Sequence, residues 1–411
     1  MSQTIRIFLS LIFCLALGIL VSAQMPAWAP LALAIAEPIG AAWLHGLQMT
    51  VVPLVVALLV VGVATTANAA RAGRLAGASM AAFVVLLWLA TIMSAIVTPL
   101  ILRQWPLAPD AAAALKNALS HSAPVGQVPP FGEFLAAIVP PNAISAAAND
   151  AFLPLIVFTL ALAFAITRLP DAQRLLLTNL FQALAEAMLI VIGWVLWLAP
   201  LGVGALAFVI GAKVGTAAFG ALLHYVLVVS SVGLIVWLSA FPLGVVGGRV
   251  GLGRFVRAAL PAQSVAISTQ SSLASLPAMV QGATALGVPE HRSGITLPLA
   301  VAIFRATSPA MNLAVAIYIA TWFGITLTPA ALCAGVAVAA ITTMGSVSLP
   351  GSISYISSIA PIAAAMGVPI APLGLLVAIE AFPDIMRTVG NVTMDLAVTA
   401  TLSARARDAD K

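Results

Sequence analysis

Apolar runs recur along the chain near residues 5–23, 41–66, 78–101, 151–168, 182–211, 219–246, 293–323 and 368–402. Each exceeds the roughly 17 residues that a helix needs at minimum to cross a hydrocarbon core, so the pattern predicts eight spanning helices. Two further runs, 258–285 and 330–366, are apolar at both ends but broken by TQSSLASLP (269–277) and TTMGSVSLPG (342–351). Each break holds serines followed by Leu-Pro. Proline removes a backbone donor, and clustered serines can satisfy the backbone groups thus freed. Such a break at membrane depth is tolerated only inside protein or beside a water-filled cavity. Both runs therefore read as re-entrant hairpins whose tips meet, with two kinked spanning helices as the plainer alternative. Two similar broken segments in one chain point to a transport site between inverted repeats.

Composition fixes the class. Of 411 residues 62% are hydrophobic and 7% charged, against about 25% charged in soluble domains. No soluble core of this length hides so much apolar surface, so the chain is expected to be an all-α, multi-pass integral membrane protein. The net charge of +5 then reflects basic loops rather than nucleic-acid binding. Arg71 and Arg74, Arg168 and Arg174, Arg249, Arg254 and Arg257, and Arg405, Arg407 and Lys411 fall on one side; Arg103, Lys116 and Lys213 fall on the other. That asymmetry predicts both termini in the cytoplasm and the insert 104–150 outside. The first run is read as a retained helix, although Val21-Ser22-Ala23 resembles a signal-peptide cleavage site. Cys14 and Cys333 stand in separate apolar segments and predict neither a disulfide framework nor a zinc site. His45, His121, His224 and His291 show no ligand spacing, and no Walker, GxSxG or HExxH motif occurs, so neither ATP-driven transport nor an enzyme is expected.

The run that ends the chain is the least suited to lipid. DIMRTVGNVTMD (384–395) carries Asp384, Arg387, Asn391 and Asp395 at spacings of 3, 4 and 4, with Glu380 one turn earlier. At roughly 100° per residue the four residues from Asp384 to Asp395 lie within about 80° of one helix face. Charge at membrane depth costs at least about 2.5–3.5 kcal/mol per residue, so a stripe of this kind marks a site. The plainer alternative is a strut in which Arg387 pairs with Asp384 or Glu380 to hold helices together.

These stretches together resemble the dicarboxylate/amino acid:cation symporter family, the glutamate transporter family. LQMTVVPLVVALLVVGVATTA (47–67), VPPNAISAAANDAFLPLIVFTLALAFAI (139–166) and LAEAMLIVIGWVLWLAPLGVGAL (184–206) are similar to its second, fourth and fifth helices. TQSSLASLP and MGSVSLPG are similar to its two hairpin tips, and DIMRTVGNVTMD to its eighth helix. The resemblance implies a homotrimer in the cytoplasmic (inner) membrane of a bacterial-type cell. Its scaffold would be 1–66 and 151–215. Its mobile transport domain would be 67–103 and 216–411, moving as an elevator around the outer loop 104–150. It also implies residue roles. Arg387 would take the side-chain carboxylate of an acidic substrate, Asp384 the amine, and Asn391 the α-carboxylate. Thr388, Ser308, Ser271, Ser272 and Leu349 would complete the pocket, and Glu380 would support it. Asp395 and Asn391 would serve a cation, and Thr343, Met344 and Ser346 a further backbone site.

The chain departs from the family where the seventh helix carries Asn-Met-Asp-Gly-Thr. Here a gapless alignment places Phe304-Arg305-Ala306-Thr307-Ser308, and a register using Met311 and Asn312 needs an insertion. On the third helix Phe83, Leu86 and Leu87 stand near the family's sodium ligands. Met→Arg and Asp→Ala each add one positive charge, so Arg305 is expected to replace a bound cation beside Asp395, or else to snorkel or pair structurally. Sodium coupling is thus expected to be reduced or lost, with sodium or proton as the possible coupling ion and no cofactor. The sequence predicts a secondary carrier of aspartate, glutamate or a related dicarboxylate. Alternatives are a C4-dicarboxylate or neutral amino acid carrier, an anion-conducting pore, and a binding or sensor protein that does not transport.

Overall fold

Helix is the structure that satisfies every backbone group within one segment, and the computed structural model of this chain consists of helices and their joins throughout the described residues. Those residues are 3–71, 74–108, 139–149, 152–215, 217–345 and 351–409. In chain order the helices are α1 (Gln3–Gln24), α2 (Ala29–Gln48), α3 (Val51–Arg71), α4 (Arg74–Gln104), α5 (Ala143–Ala148), α6 (Phe152–Ile166), α7 (Asp171–Trp197), α8 (Ala199–Val214) and α9 (Ala217–Pro242). After a π-turn at Leu243–Gly247 come α10 (Leu252–Thr269), α11 (Leu276–Ala285), α12 (Glu290–Ile303), α13 (Thr307–Trp322), α14 (Pro329–Gly345), α15 (Gly351–Ala365), α16 (Pro372–Leu376) and α17 (Ala381–Ala409).

Among the described residues, four stretches are long and apolar enough to cross a membrane: Leu75–Gln104, Asp171–Trp197, Phe219–Gly247 and Glu290–Trp322. Several apolar runs are divided more finely than expected. The run 41–66 is split between α2 and α3 at Met49–Thr50, 182–211 is split between α7 and α8 at Leu198, and 293–323 is split at 304–306. The run 368–402 is likewise divided, holding the short α16 and then α17, which begins at Ala381. Pro53, Pro200, Pro309 and Pro383 each follow one of these joins within the first turn of the next helix. A proline there has no N–H to give the residue four positions back, and its ring clashes with that carbonyl. Of the two broken runs, the first is divided into α10 and α11, which pack on each other across 270–275; α14 and α15 of the second also pack on each other, and residues 346–350 between them lie outside the described residues.

Packing sorts the helices around two large apolar clusters. One gathers α1–α3 and α7–α9 with α13–α16, where Leu11, Leu54, Ala207 and Tyr225 are fully buried. The other joins α4, α9, α10, α11, α12 and α17 through Phe83, Val232, Phe255, Met279, Leu297 and Val392. The residues of α13 are nearly all buried, and α13 contacts both α9 and α17. The polar stripe of α17 is therefore placed deep in protein. A cavity of about 820 Å³ opens elsewhere, between α4, α12 and the end of α17, lined chiefly by apolar residues such as Leu86, Ile295 and Val398. It does not include the stripe.

Candidate functional site

The stripe runs from Glu380, the residue before α17, through the first half of that helix, and its five members are buried: Glu380 is 1% exposed, Asp384 3%, Arg387 4%, Asn391 2% and Asp395 1%. Burial demands partners, and Arg387 finds two carboxylates, Asp384 on its own helix and Glu380 just before it. Its Nη1 donates to Glu380 Oε1 and, at 2.9 Å, to Asp384 Oδ1. The strut weighed from sequence is thus present. It does not use the guanidinium up: Nε and Nη2 are buried without a hydrogen-bond partner, as are Glu380 Oε2 and Asp384 Oδ2. Nε and Nη2 form one edge of a planar fork, the geometry that matches a carboxylate with two parallel bonds.

The second wall is the join between α12 and α13. Phe304 leaves the helix at φ −105°, ψ 74°, and Pro309 keeps residues 304–306 from joining a continuous helix. The interruption brings Thr307 against α17. Its backbone N–H donates to Asn391 Oδ1 at 2.9 Å, and its hydroxyl bonds Arg387 O at 2.6 Å and also Asn391 Oδ1. Ser308, beside it, has a buried hydroxyl with no partner. The close approach is possible because residue 390 is glycine: a Cβ there would lie 2.3 Å from Thr307 Cγ2. Gly390→Ala is expected to destabilise the protein by about 1–3 kcal/mol through overpacking, read as a lower melting temperature of the purified protein. An unchanged melting temperature would contradict this contact.

The α10–α11 break closes the start of the stripe. Gln270 ends α10 in the left-handed region at φ 51°, and its Nε2 donates to Ala381 O at 3.3 Å. Ser272 behind it is buried; Ser271 is half-buried, and its hydroxyl accepts from Ala274 N at 3.2 Å. Lower on the helix, Gln263 Nε2 donates to Thr393 Oγ1 at 2.9 Å, locking α10 to α17. Thr388 turns its hydroxyl back to Asp384 O at 2.9 Å, so it lines the site without offering that donor. Thr343 is buried near the end of α14 with its hydroxyl bonded to Ala339 O at 2.8 Å, and Met344 packs against the second apolar cluster. Ser346 and Leu349 lie outside the described residues.

The residues that depart from the family pattern meet as well. Phe83 of α4 stacks on Phe304, with ring centroids 4.5 Å apart and an interplanar angle of 11°. Arg305 is 8% exposed and interacts electrostatically with Asp395, Asp384 and Arg387. Neither oxygen of Asp395 has a hydrogen-bond partner, and Arg305 is the charge that acts on it. Asn391 Oδ1 is taken by Thr307, Phe304 presents hydrocarbon to Phe83, and Asp395 faces a guanidinium.

Three partners were not legible from sequence. Thr307 is one. The others are Tyr225 on α9 and Tyr355 on α15, whose hydroxyls hydrogen-bond at 2.8 Å beside Glu380. Lone tyrosines in apolar helices carry no periodic signal. His224, next to Tyr225, bonds Tyr318 OH at 3.0 Å and Trp105 O at 3.0 Å, which makes it an interface residue between α9, α13 and the end of α4. Among the described residues no group of His, Cys, Asp or Glu could hold a metal ion.

Comparison with known proteins matches the sequence of this chain to a symporter family. The proton/glutamate-aspartate symporter of Escherichia coli (strain K12) is 26% identical over 393 residues, covering 93% of this chain and 89% of its own length. The C4-dicarboxylate transport protein of Laribacter hongkongensis (strain HLHK9) is 24% identical over 421 residues, covering 100% and 93%. The proton/sodium-glutamate symport protein of Bacillus caldotenax is 26% identical over 406 residues, covering 94% and 90%. The profile of one family matches residues 4–405, nearly the whole length, and the chain belongs to it: the sodium:dicarboxylate symporter family.

Proposed function

We propose that the protein is a secondary transporter of small acidic solutes, either acidic amino acids or dicarboxylates, across the cytoplasmic membrane. The observation that carries this reading is the half-used guanidinium of Arg387. A cation buried in apolar protein keeps one fork edge without a partner, between a carboxylate that can take an ammonium and an amide that can meet a second carboxylate. In this reading Arg387 takes the distal carboxylate, Asp384 an amine, and Asn391 with Ser308 and the Ser271–Ser272 tip the α-carboxylate. Relatives carry the names of glutamate-aspartate and C4-dicarboxylate transporters, which supports the substrate class. Asp384 favours the amino acid within it, because a C4-dicarboxylate brings no ammonium to offset that carboxylate beside its own two.

The finer architecture belongs to the same proposal. Eight spanning segments and two re-entrant hairpins form inverted repeats; 1–66 and 151–215 are the scaffold of a trimer; and 67–103 with 216–411 moves as an elevator, with both termini cytoplasmic. Sodium coupling is reduced, because Phe304 and Ala306 replace oxygen-bearing side chains by a ring and a methyl group, and Arg305 adds a fixed cation. Thermal-shift measurements with L-aspartate, L-glutamate and succinate, each in sodium or choline chloride, test both parts. Stabilisation by at least one acid in choline is expected. No response to any acid would overturn the substrate class, and a response only in sodium would overturn the coupling.

A further inference from the structure

We propose that Glu380 is the proton-carrying group of this transporter: it takes up one proton when an acidic substrate docks on Arg387, and releases it with the substrate. This rests on the substrate reading above and adds the coupling ion and its site.

The argument begins with charge. Glu380, Asp384 and Arg387 together bear one net negative charge, and all three are buried. Arg305 acts on Asp384 as well as on Asp395, so the five buried groups together still bear one net negative charge. An incoming carboxylate on the Nε–Nη2 edge makes three carboxylates around one guanidinium. Carboxylates that share a site cannot all stay ionised out of water, so one of them must hold a proton.

Geometry selects which. Asp384 stands where a substrate ammonium would neutralise it, and it is bonded to Arg387 at 2.9 Å. The substrate's own carboxylate is the group the fork binds as an anion. Glu380 differs in having polar, uncharged neighbours on two other elements. Tyr225 on α9 and Tyr355 on α15 lie beside it with their hydroxyls hydrogen-bonded to each other at 2.8 Å. A protonated Glu380 can hydrogen-bond that pair without Arg387, whereas an ionised one is held chiefly by Arg387 Nη1 through Oε1, with the Tyr225 hydroxyl as a second, uncharged partner. The charged and titratable groups facing Glu380 are thus Arg387 and Asp384 from α17, Tyr225 from α9 and Tyr355 from α15. A proton from solution forms the Oε–H bond as the Glu380–Arg387 contact loosens. On the far side the substrate leaves, Arg387 recaptures Glu380, and the proton departs.

Isothermal titration of the full-length purified protein with L-aspartate, in two buffers of different ionisation enthalpy, counts the protons. About one proton taken up per aspartate is expected, with affinity falling about tenfold per pH unit where free Glu380 is ionised. Glu380→Gln, an uncharged copy of the protonated side chain, should bind aspartate with no proton uptake and a flat pH profile. In liposomes it should exchange internal for external aspartate yet lose uptake driven by a pH gradient. Proton uptake unchanged in Glu380→Gln would overturn the proposal. If that variant does not fold, Tyr355→Phe serves instead: weaker aspartate binding at acid pH supports the proposal, and a wild-type profile opposes it. Aspartate binding to the wild type without proton uptake overturns this proposal alone, whereas the absence of any acidic ligand overturns the substrate reading and this one with it.

Discussion

Arg387→Ala is expected to abolish stabilisation of the protein by acidic ligands and to lower its melting temperature in their absence. Two mechanisms act together. The substitution removes the only guanidinium bonded to Glu380 and Asp384 in the described structure, leaving two like charges buried side by side. Removing one partner of a buried pair costs about 3–5 kcal/mol, because the remaining charge stays desolvated. It also removes the fork edge that a substrate carboxylate would use. Arg387→Lys separates the two effects. Lysine keeps the charge and can still neutralise the carboxylates, but it offers a point charge without the planar pair of donors. A charge-assisted hydrogen bond contributes about 1.5–3 kcal/mol, so Arg387→Lys should bind L-aspartate roughly 10–100-fold more weakly while melting closer to the wild type. Calorimetry and thermal unfolding on the same preparations measure both. Undiminished affinity in Arg387→Lys would mean that the arginine is only the strut.

Much of the site was legible because its residues break the rule of their surroundings. In a run of apolar residues, the spacing of Asp384, Arg387, Asn391 and Asp395 specifies a single helix face, and all four are buried on α17. The first serine-rich break marks 270–275 as a join for the same reason. Apolar continuity, by contrast, hides what it contains. The joins at Met49–Thr50 and Leu198 lie inside runs whose hydropathy does not change. Proline did not reveal them either, since Pro38, Pro99, Pro261, Pro298 and Pro361 sit inside helices. What separates the two sets is whether tertiary packing re-satisfies the freed carbonyl, and no window of sequence records that. Thr307, Tyr225 and Tyr355 were invisible for a related reason: each acts through a partner far away in the chain, Asn391, Tyr355 and Tyr225 respectively.

The double substitution Arg305→Met with Ala306→Asp is expected to give the protein a requirement for sodium that the wild type lacks. Together the two changes lower the buried charge by two and return a carboxylate to the α12–α13 join, within the region where Asp395 has no hydrogen-bond partner. In the wild type Arg305 supplies the positive charge at that place. It is 8% exposed, it acts on Asp395, and it is covalently fixed, so on the proposed reading no sodium ion has to be bound there before substrate. A pair of unit charges about 4 Å apart attracts by about 4 kcal/mol at an effective dielectric near 20, enough to stand in for a weakly bound monovalent ion. Without the guanidinium, two carboxylates approach each other in apolar protein, and the cost stands until a cation joins them. L-Aspartate should therefore raise the melting temperature of the wild type equally in sodium and choline chloride. It should raise that of the double variant only in sodium, with a shift that grows with sodium concentration. Arg305→Met alone should be destabilised by about 3–5 kcal/mol, since Asp395 is then buried without its counter-charge. Phe304 still fills the space against Phe83 in these variants, so their sodium affinity should be weak; adding Phe304→Asn, which supplies a carbonyl oxygen in place of the ring, should strengthen it. A double variant whose aspartate response ignores sodium would show that Arg305 serves packing at the join and not the charge balance of the site.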